Sequence, residues 1–264
     1  MTHSYWLKQN SAKPLFPDIE WNKPLQKNLA GNLAIIGGNK LGFAGVAAAY
    51  SAALDAGVGQ VRLLLPDSLK KTVPRTMNEA LFGASTPSGG LSKEARPELL
   101  ALCSWAQHVL LIGDAGRNSE TAIAYEDFIQ NYSGPLTITR DAVDLVKNNP
   151  TLIAERPYTT LVVSFSQLQK LFQALYYPKV LTFSMQLAYL VEALHKFTLT
   201  FPVQLCVLHK DTLLVAYEGQ VVSQRWDAPM KIWRGDVAAK VAAYQTFSPA
   251  TQHFEATVSS IYTQ

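Results

Sequence analysis

Ala-Ile-Ile-Gly-Gly-Asn-Lys-Leu-Gly-Phe-Ala-Gly-Val-Ala-Ala-Ala-Tyr-Ser-Ala-Ala-Leu-Asp-Ala-Gly-Val-Gly-Gln-Val-Arg-Leu-Leu-Leu, residues 34–65, is the stretch of this chain that decides its fold class. A short apolar run ends in two glycines, a loop with further glycines follows, and an alanine-rich segment leads into a second apolar run. This order predicts a strand at 34–37, a helix at 45–56 and a second strand at 61–65. Backbone N–H groups exposed at such a strand end commonly hold phosphates.

The same alternation of apolar strands and amphipathic helices continues through most of the chain. Further strands are predicted at 108–112, 136–139, 160–163, 204–208, 212–217 and 220–224. Further helices are predicted at 119–130, from 166, at 182–197, at 235–245 and from near 249. This alternation predicts an α/β fold, in which a mostly parallel central sheet carries helices on both faces. The polar, proline-punctuated residues 1–30 are predicted to form an irregular N-terminal arm, and residues 31–264 a single domain.

The bulk composition argues against several classes of protein. With 48% hydrophobic and 16% charged residues, the chain has enough apolar material for one large domain and does not resemble a disordered protein. A net charge of +3 over 264 residues argues against nucleic acid as a partner. No uncharged apolar run reaches the length of about 18 residues that a membrane span needs, and the N-terminus lacks a secretory signal. A cytoplasmic protein without a membrane partner is expected.

The sequence contains no pattern for a transition-metal site. The five histidines stand singly, and the two cysteines, Cys103 and Cys206, lie far apart within apolar runs, which favours buried, reduced thiols. No metal-ligating residues are therefore predicted. A Mg²⁺ ion that arrives with a nucleotide is compatible with this sequence, because the substrate phosphates supply ligands to such an ion.

Four polar or glycine-rich segments are expected to converge at one edge of the sheet. They are Gly37-Gly38-Asn39, Gly113-Asp114, Arg140-Asp141 and Trp233-Arg234-Gly235-Asp236. The first three follow predicted strands directly, and ligands of open α/β sheets bind beyond the carboxyl ends of the strands. The spacing after the first strand does not match a dinucleotide fingerprint, because Gly-x-Gly-x-x-Gly is absent there. These four segments therefore predict a small-molecule site without the standard dinucleotide-binding fingerprint.

With these segments in view, the sequence resembles the ADP/ATP-dependent NAD(P)H-hydrate dehydratases of the ribokinase-like superfamily, over roughly residues 30–250. The resemblance rests first on Ile-Gly-Gly-Asn at 36–39, on Gly45 with the alanine-rich helix, and on Ala-Gly-Val-Gly-Gln-Val at 56–61. The later segments that fit the family in their order are 111–117, 139–143, 207–212 and 234–239. The resemblance implies a ribokinase-like three-layer sandwich.

Three segments depart from the family pattern. Residues 161–167, Leu-Val-Val-Ser-Phe-Ser-Gln, replace a Thr-Pro-His-Pro-Gly-Glu segment, and Thr139 replaces the first Asp of an Asp-Ala-Asp pair. Trp233 and Arg234 replace the small residues of an anion-binding loop. Arg234 either holds an anion in place of backbone amides or fills the pocket. The chain is therefore identified as a divergent member of the family.

The resemblance implies a role for each residue of the rim. Asp236 corresponds to the general acid/base, held at a helix N-terminus. The implied nucleotide- and phosphate-binding residues are Lys210, Trp233, Arg234 and Gly235. The implied substrate-binding residues are Gly37, Gly38, Asn39, Gly113, Asp114 and Asp141. The implied reaction is phosphorylation of the hydroxyl of hydrated NADH or NADPH by ATP or ADP, followed by elimination of phosphate. The implied partners are these nucleotides and further copies of the chain in a homo-oligomer.

Each of these residues also has a purely structural interpretation. An acidic residue such as Asp236 is favoured in a first helical turn whatever its function, and Asp114 or Asp141 can cap the turn or helix that follows it. Lys210 can be a solvated hairpin residue, and Trp233 a packing residue. Two other functions therefore stay open beside the dehydratase. One is a relative without catalysis that serves as a ligand-binding or interaction module, and the other is a small-molecule kinase of the same superfamily.

Overall fold

The computed structural model of the protein describes residues 4–10, 12–77 and 79–262. Within them, the strands of one sheet are β1 (Trp6–Gln9), β2 (Asn32–Gly37), β3 (Gln60–Pro66), β4 (Ala80–Gly83), β5 (His108–Gly113), β6 (Leu136–Thr139), β7 (Thr159–Ser164), β8 (Gln204–His209), β9 (Thr212–Tyr217) and β10 (Gln220–Arg225). The α-helices are α1 (Pro17–Trp21), α2 (Ala44–Ala56), α3 (Arg96–Trp105), α4 (Ser119–Asn131), α5 (Asp141–Leu145), α6 (Pro150–Ala154), α7 (Phe165–Ala174), α8 (Leu187–Thr200), α9 (Pro229–Arg234), α10 (Asp236–Phe247) and α11 (His253–Tyr262). Across the same described ranges, no helix is long and apolar enough to cross a membrane.

The strands follow the order β1-β10-β9-β8-β7-β6-β5-β2-β3-β4 across the sheet. Neighbouring strands are parallel except at β8–β9 and β9–β10, which form an antiparallel meander. The prediction of an α/β fold with a mostly parallel sheet is confirmed. The direction of progression reverses at β2, which lies between β3 on one side and β5 on the other. A ligand crevice is expected at the carboxyl end of such a reversal.

Alternate side chains of the central strands pack against helices on opposite faces of the sheet. In β2, Leu33 and Ile35 belong to the core shared with α2, α10 and α11, whereas Ala34 and Ile36 belong to the core shared with α3, α4, α7 and α8. This alternation follows from the pleat, which points successive side chains to opposite sides. The result is the three-layer sandwich that the resemblance implied.

Two alanine-rich helices, α2 and α10, pack on the same face of the sheet. Ala49 and Ala53 of α2 and Ala239 and Ala243 of α10 are fully buried, and their small side chains let backbone approach backbone closely. Gly57 ends α2 in the left-handed conformation, with φ of +96°. Because α2 follows β2 directly, its N-terminus lies at the carboxyl edge of the sheet, where the candidate site is found.

The predicted strands from 34 onward all occur, with ends that differ by at most two residues. The helix predicted at 182–197 begins later, at Leu187, because the preceding residues form an irregular connection. Helix α3, which is not among the predicted helices, starts at Arg96 with a proline in its first turn. The edge strand β4 and the short helix α9 carry too little periodicity to be predicted.

The N-terminal arm predicted as irregular contains an edge strand of the sheet. Trp6–Gln9 pairs in parallel with β10, the Trp6 indole N–H donates to Ser223 Oγ at 2.8 Å, and Gln9 Nε2 donates to Gln224 Oε1 at 2.7 Å. These partners lie more than 200 residues away along the chain, so no local pattern reveals them. Residues 1–3 and 11 of the arm and 263–264 of the domain lie outside the described residues, and the division at residue 30 stays a prediction.

Candidate functional site

The carboxyl ends of β2 and β5 pack directly against each other at the point where the strand order reverses. The N–H of Gly38 donates to the carbonyl oxygen of Gly113 at 2.8 Å. A Cβ at Gly37 would overlap that same oxygen, so this approach requires glycine. The two glycine-rich segments predicted for the rim therefore meet there, and the loop after β5 is directed across the end of the sheet.

Asp141 binds the backbone of the loop that follows β5. Its Oδ1 accepts the N–H of Asp114 at 2.7 Å, and its Oδ2 accepts those of Ala115 and Gly116 at 3.0 and 3.2 Å. Three successive N–H groups pointing at one anion form the arrangement that binds phosphate in other proteins. Here the anion is a carboxylate of the chain itself, placed at the first residue of α5.

Asp114 and Arg140 form an ion pair across the rim. Asp114 Oδ1 pairs with Arg140 Nη2, and its Oδ2 accepts the N–H of Gly45, in the first turn of α2, at 2.5 Å. Arg140 Nη1 donates to the carbonyl oxygen of Arg234 at 2.8 Å. The pair thereby joins the loops after β5 and β6 to α2 and to the segment before α10.

The backbone at this ion pair adopts conformations that are unusual for side-chain-bearing residues. Both Asp114 and Arg140 have a φ of +55°. The ψ of Arg140 is −141°, which lies in a region populated almost entirely by glycine. Strain of this kind persists only where the surrounding contacts hold it, and it concentrates at functional sites.

A cavity of about 520 Å³ opens beside the ion pair, at the ends of β5, β6 and β7. The lining combines charged, hydroxyl, amide and apolar side chains: Asp114, Thr139, Arg140, Asp141, Asp144, Val162, Ser164, Ser166, Gln167, Lys170, Ile232 and Trp233. Its volume is in the range of small-molecule sites. Two further depressions, of about 500 and 320 Å³, adjoin it through Asp141.

Gln167 fixes one wall of the cavity. It forms a capping box with Ser164 at the start of α7, and its Nε2 donates to the carbonyl oxygen of Arg140 at 2.7 Å and to Asp144 Oδ2 at 2.8 Å. This capping box lies within residues 161–167, which depart from the pattern of the family that the sequence resembles. Its amide positions the backbone of Arg140.

Asp236 lies at the N-terminus of α10, on the same rim. Gly235 precedes it with a φ of +96° and packs against Ile112 and the stem of Arg140. Asp236 itself is partly exposed, and the cavity lining includes Ile232 and Trp233 of α9 but not Asp236. The structure thus brings this segment to the rim.

The remaining residues predicted for the site lie at differing distances from the cavity. Asn39 is buried, and its Oδ1 accepts the N–H of Leu41 at 2.7 Å, so it holds the turn after β2 in shape. Trp233 is 56% exposed and lines the cavity, which contradicts a purely packing interpretation. Lys210 is exposed in the turn between β8 and β9 and does not line the cavity, because β6 and β7 separate β8 from β5.

Two titratable side chains beneath the rim are held neutral. Burial raises the pKa of Tyr125, and the nearby carboxylates of Asp141 and Asp114 raise it further. Its hydroxyl has no hydrogen-bond partner within the described ranges. At the end of β8, burial against Phe165 and Phe183 lowers the pKa of His209. Neither side chain lines the cavity.

Arg140, Gln167 and Lys170 are the lining residues of greatest chemical interest to which the sequence prediction gave no binding or catalytic role. Arg140 was recognised as part of the rim, and a charged residue directly after a buried strand was the available signal. For Gln167 the signal in the sequence was weaker, namely the Ser-x-x-Gln spacing of a capping box. Nothing local indicated Lys170, which reaches the cavity from the second turn of α7.

Comparison of the sequence with protein-family models and with curated proteins gives no match. Solved structures, in contrast, match over most of the chain. A ribokinase-like superfamily protein from Enterococcus faecalis is 13% identical with a TM-score of 0.74, covering 99% of this chain and 87% of its own. An ADP/ATP-dependent NAD(P)H-hydrate dehydratase from Bacillus subtilis, co-crystallised with ATP and Mg²⁺, is 10% identical with a TM-score of 0.58, covering 90% and 79%.

A phosphomethylpyrimidine kinase from Clostridium difficile is 8% identical with a TM-score of 0.56, covering 87% of this chain and 98% of its own. At these identities the likeness establishes the fold. The chain has a ribokinase-like fold with a polar cavity at the carboxyl edge of its sheet. Its structural neighbours include a ribokinase-like superfamily protein, a kinase and an NAD(P)H-hydrate dehydratase.

Proposed function

We propose that this protein is a divergent NAD(P)H-hydrate dehydratase-like enzyme, in which ATP or ADP phosphorylates the hydroxyl of hydrated NADH or NADPH and phosphate is then eliminated. The observation that carries the proposal is the placement of Asp236. Asp236 is the first residue of α10 and follows closely on Trp233, which lines the cavity that also presents Arg140 and Lys170. A carboxylate on the same rim as these two cations fits proton removal from a hydroxyl during phosphoryl transfer.

The cavity residues fit a nucleotide phosphate by their chemistry. Arg140 and Lys170 supply positive charge, and Ser166 supplies a hydroxyl donor along the same wall. Exposed Trp233 offers a flat surface on which a base or a nicotinamide ring could lie. The nucleotide supplies the phosphoryl group, and any Mg²⁺ would arrive bound to its phosphates. Asp236 accepts the hydroxyl proton, while the N-terminal dipole of α10 favours negative charge nearby.

A turnover assay with hydrated NADH and ATP tests this proposal. The full-length protein is expected to restore NADH, and Asp236→Asn is expected to lower the rate by about 100-fold or more, because it removes the proton acceptor. Asp227→Asn is the matched control, since this exposed carboxylate pairs with Arg225 outside the cavity. A wild-type protein without turnover would contradict the proposal, as would equal rates in wild type and Asp236→Asn.

A second candidate function, ligand binding without turnover, is favoured by the carboxylates that already occupy the rim. Asp141 accepts three backbone N–H groups, and Asp114 accepts that of Gly45, so an incoming phosphate finds these donors engaged. In this case ATP would bind weakly, and Arg234→Gly would strengthen binding if the arginine fills the anion loop. A screen of small alcohols with ATP distinguishes the third possibility, a small-molecule kinase.

Assembly into a homo-oligomer is also part of the proposal. Trp21 and Leu25 of the N-terminal arm are exposed, as is Tyr176 in the connection after α7. Tyr177 instead packs against Phe197, so only one of the two adjacent tyrosines adds apolar surface. We expect light scattering at micromolar protein to show an oligomer, and a strict monomer would contradict this expectation.

A further inference from the structure

The cavity holds two cations, and each is paired with a carboxylate on the cavity wall. Arg140 pairs with Asp114, and Lys170 Nζ lies 3.4 Å from Asp144 Oδ1. Both carboxylates have another partner, since Asp114 also accepts the Gly45 N–H and Asp144 also accepts Gln167 Nε2. Each carboxylate would therefore remain hydrogen-bonded if its cation turned toward a ligand.

We propose that Arg140 and Lys170 together bind a phosphate group of a small molecule in this cavity, and that Asp114 and Asp144 hold the two cations when no ligand is bound. This inference rests on the proposed function only in that the ligand carries a phosphate. It assigns the selection of that ligand to Arg140 and Lys170, rather than to the backbone amides of the rim.

The position of Arg140 is fixed by its surroundings, whereas its donors are only partly used. Gln167 holds its carbonyl oxygen, and the adjacent carboxylate of Asp141 is anchored to three N–H groups. A guanidinium carries five N–H donors. Among the described residues, its hydrogen bonds are those to Asp114 and to the Arg234 carbonyl. The remaining donors are available to a ligand, because the Arg140 side chain lines the cavity and is 24% exposed.

A phosphate fits this pair of cations better than a monoanion does. Arg140 stands at the end of β6 and Lys170 on α7, so the charges approach the cavity from two elements. A dianion can engage both at once, and charge-assisted bonds to a guanidinium are among the stronger hydrogen bonds of proteins. Asp114 and Asp144 compete with a ligand for the same two cations, so a weakly charged ligand does not displace them.

Titration calorimetry of the full-length protein with inorganic pyrophosphate tests the inference. Pyrophosphate is expected to bind the wild type, and Arg140→Ala is expected to weaken binding by about 10- to 100-fold, since it removes charge-assisted bonds. Lys170→Ala should weaken it by about 3- to 10-fold, because an exposed ammonium contributes less. Arg140→Lys, which keeps a cation but loses the fork, should bind with intermediate affinity.

The matched controls are Arg96→Ala and Lys196→Ala. These remove an arginine paired with Asp127 and a lysine paired with Glu192, both outside the cavity. They are expected to leave pyrophosphate affinity within about twofold of wild type, which separates a local effect from a change of net charge. Thermal unfolding of each variant confirms that it is folded. Equal losses in the controls, or wild-type affinity in Arg140→Ala, would overturn the inference.

Asp114→Asn tests the part of the inference that concerns the carboxylates. Its amide oxygen can still accept the Gly45 N–H, but the competing charge is gone, so pyrophosphate should bind several-fold more tightly. Unchanged or weaker binding would refute the role of Asp114 as the resting partner.

The binding experiments and the turnover assay can fail separately. Pyrophosphate binding that depends on Arg140, without turnover of hydrated NADH, supports the inference and contradicts the dehydratase proposal. Turnover of hydrated NADH, with pyrophosphate affinity unchanged in Arg140→Ala, supports the dehydratase proposal and contradicts the inference.

Discussion

Replacing Asp141 by alanine is expected to lower the free energy of unfolding by about 3 kcal/mol: three charge-assisted hydrogen bonds of roughly 1.5–3 kcal/mol each are lost, and water replaces part of them because the position is partly exposed. The carboxylate accepts the N–H groups of Asp114, Ala115 and Gly116, and alanine offers these donors no acceptor. The loop after β5 would then lose the contact that holds it across the rim. Urea denaturation followed by circular dichroism measures the change.

The matched control for this substitution is Asp144→Ala, one turn further along the chain. The hydrogen bonds of the Asp144 carboxylate come from the side chains of Gln167 and Lys170, which can turn to water when it is removed. A loss of about 1 kcal/mol or less is expected there. If Asp141→Ala were no less stable than Asp144→Ala, the amides of the loop would not depend on Asp141, and the description of the rim given above would be wrong.

Acidification is expected to destabilise the protein through two buried histidines. His108 is fully buried at the start of β5, and its pKa is lowered well below the ordinary value by burial first, and then by the charges of His253 and Arg156. Burial also lowers the pKa of His253, whose ring lies 6.0 Å from that of His108. In the unfolded chain both would take up protons near pH 6.5, the ordinary value for histidine.

The sign follows from proton uptake in the two states. Because the unfolded state binds more protons below about pH 6.5, stability is fully present above that value and is lost as the pH falls toward the lowered folded-state pKa. Each histidine contributes a slope of up to about 1.4 kcal/mol per pH unit. Between pH 7.5 and 5.0 a loss of about 2 kcal/mol or more is expected, measured as the difference between urea denaturation curves.

His108→Gln separates this cause from general acid effects. The variant cannot take up the proton, so its stability should fall less between pH 7.5 and 5.0 than that of wild type, whatever its stability at pH 7.5. The comparison uses each protein as its own reference, because the substitution also disturbs the hydrogen bond between His108 Nε2 and Thr137 Oγ1. An identical pH dependence in variant and wild type would show that His108 does not titrate on unfolding.

The candidate site shows which features could be predicted from the sequence and which could not. The glycines at 37, 38, 113 and 235 and the acids at 114, 141 and 236 were expected at one rim because each follows a strand or opens a helix, and the structure places them there. Their chemical roles stay predictions. Lys210 was assigned to the site from the order of segments alone, and the structure leaves it in the turn after β8, which two strands separate from β5.

The sequence by itself determined the elements and their alternation. Apolar runs of four to seven residues between glycine-rich turns define the central strands, and the strand-then-helix order restricts the sheet to a mostly parallel one. These are local properties, readable within a window of some 15 residues. Glycine at 37 and 113 belongs with them, since its conformational freedom is a property of the residue itself.

Only the tertiary structure decided which residues of the rim contact one another. Arg140 pairs with Asp114 across 26 residues of chain and donates to the Arg234 carbonyl across 94. Asp141 turned out to bind amides of the loop after β5, and β1 turned out to complete the sheet beside β10. The energies of such contacts depend on distances between groups far apart in sequence. No pattern along the chain encodes those distances before the sheet brings the segments together.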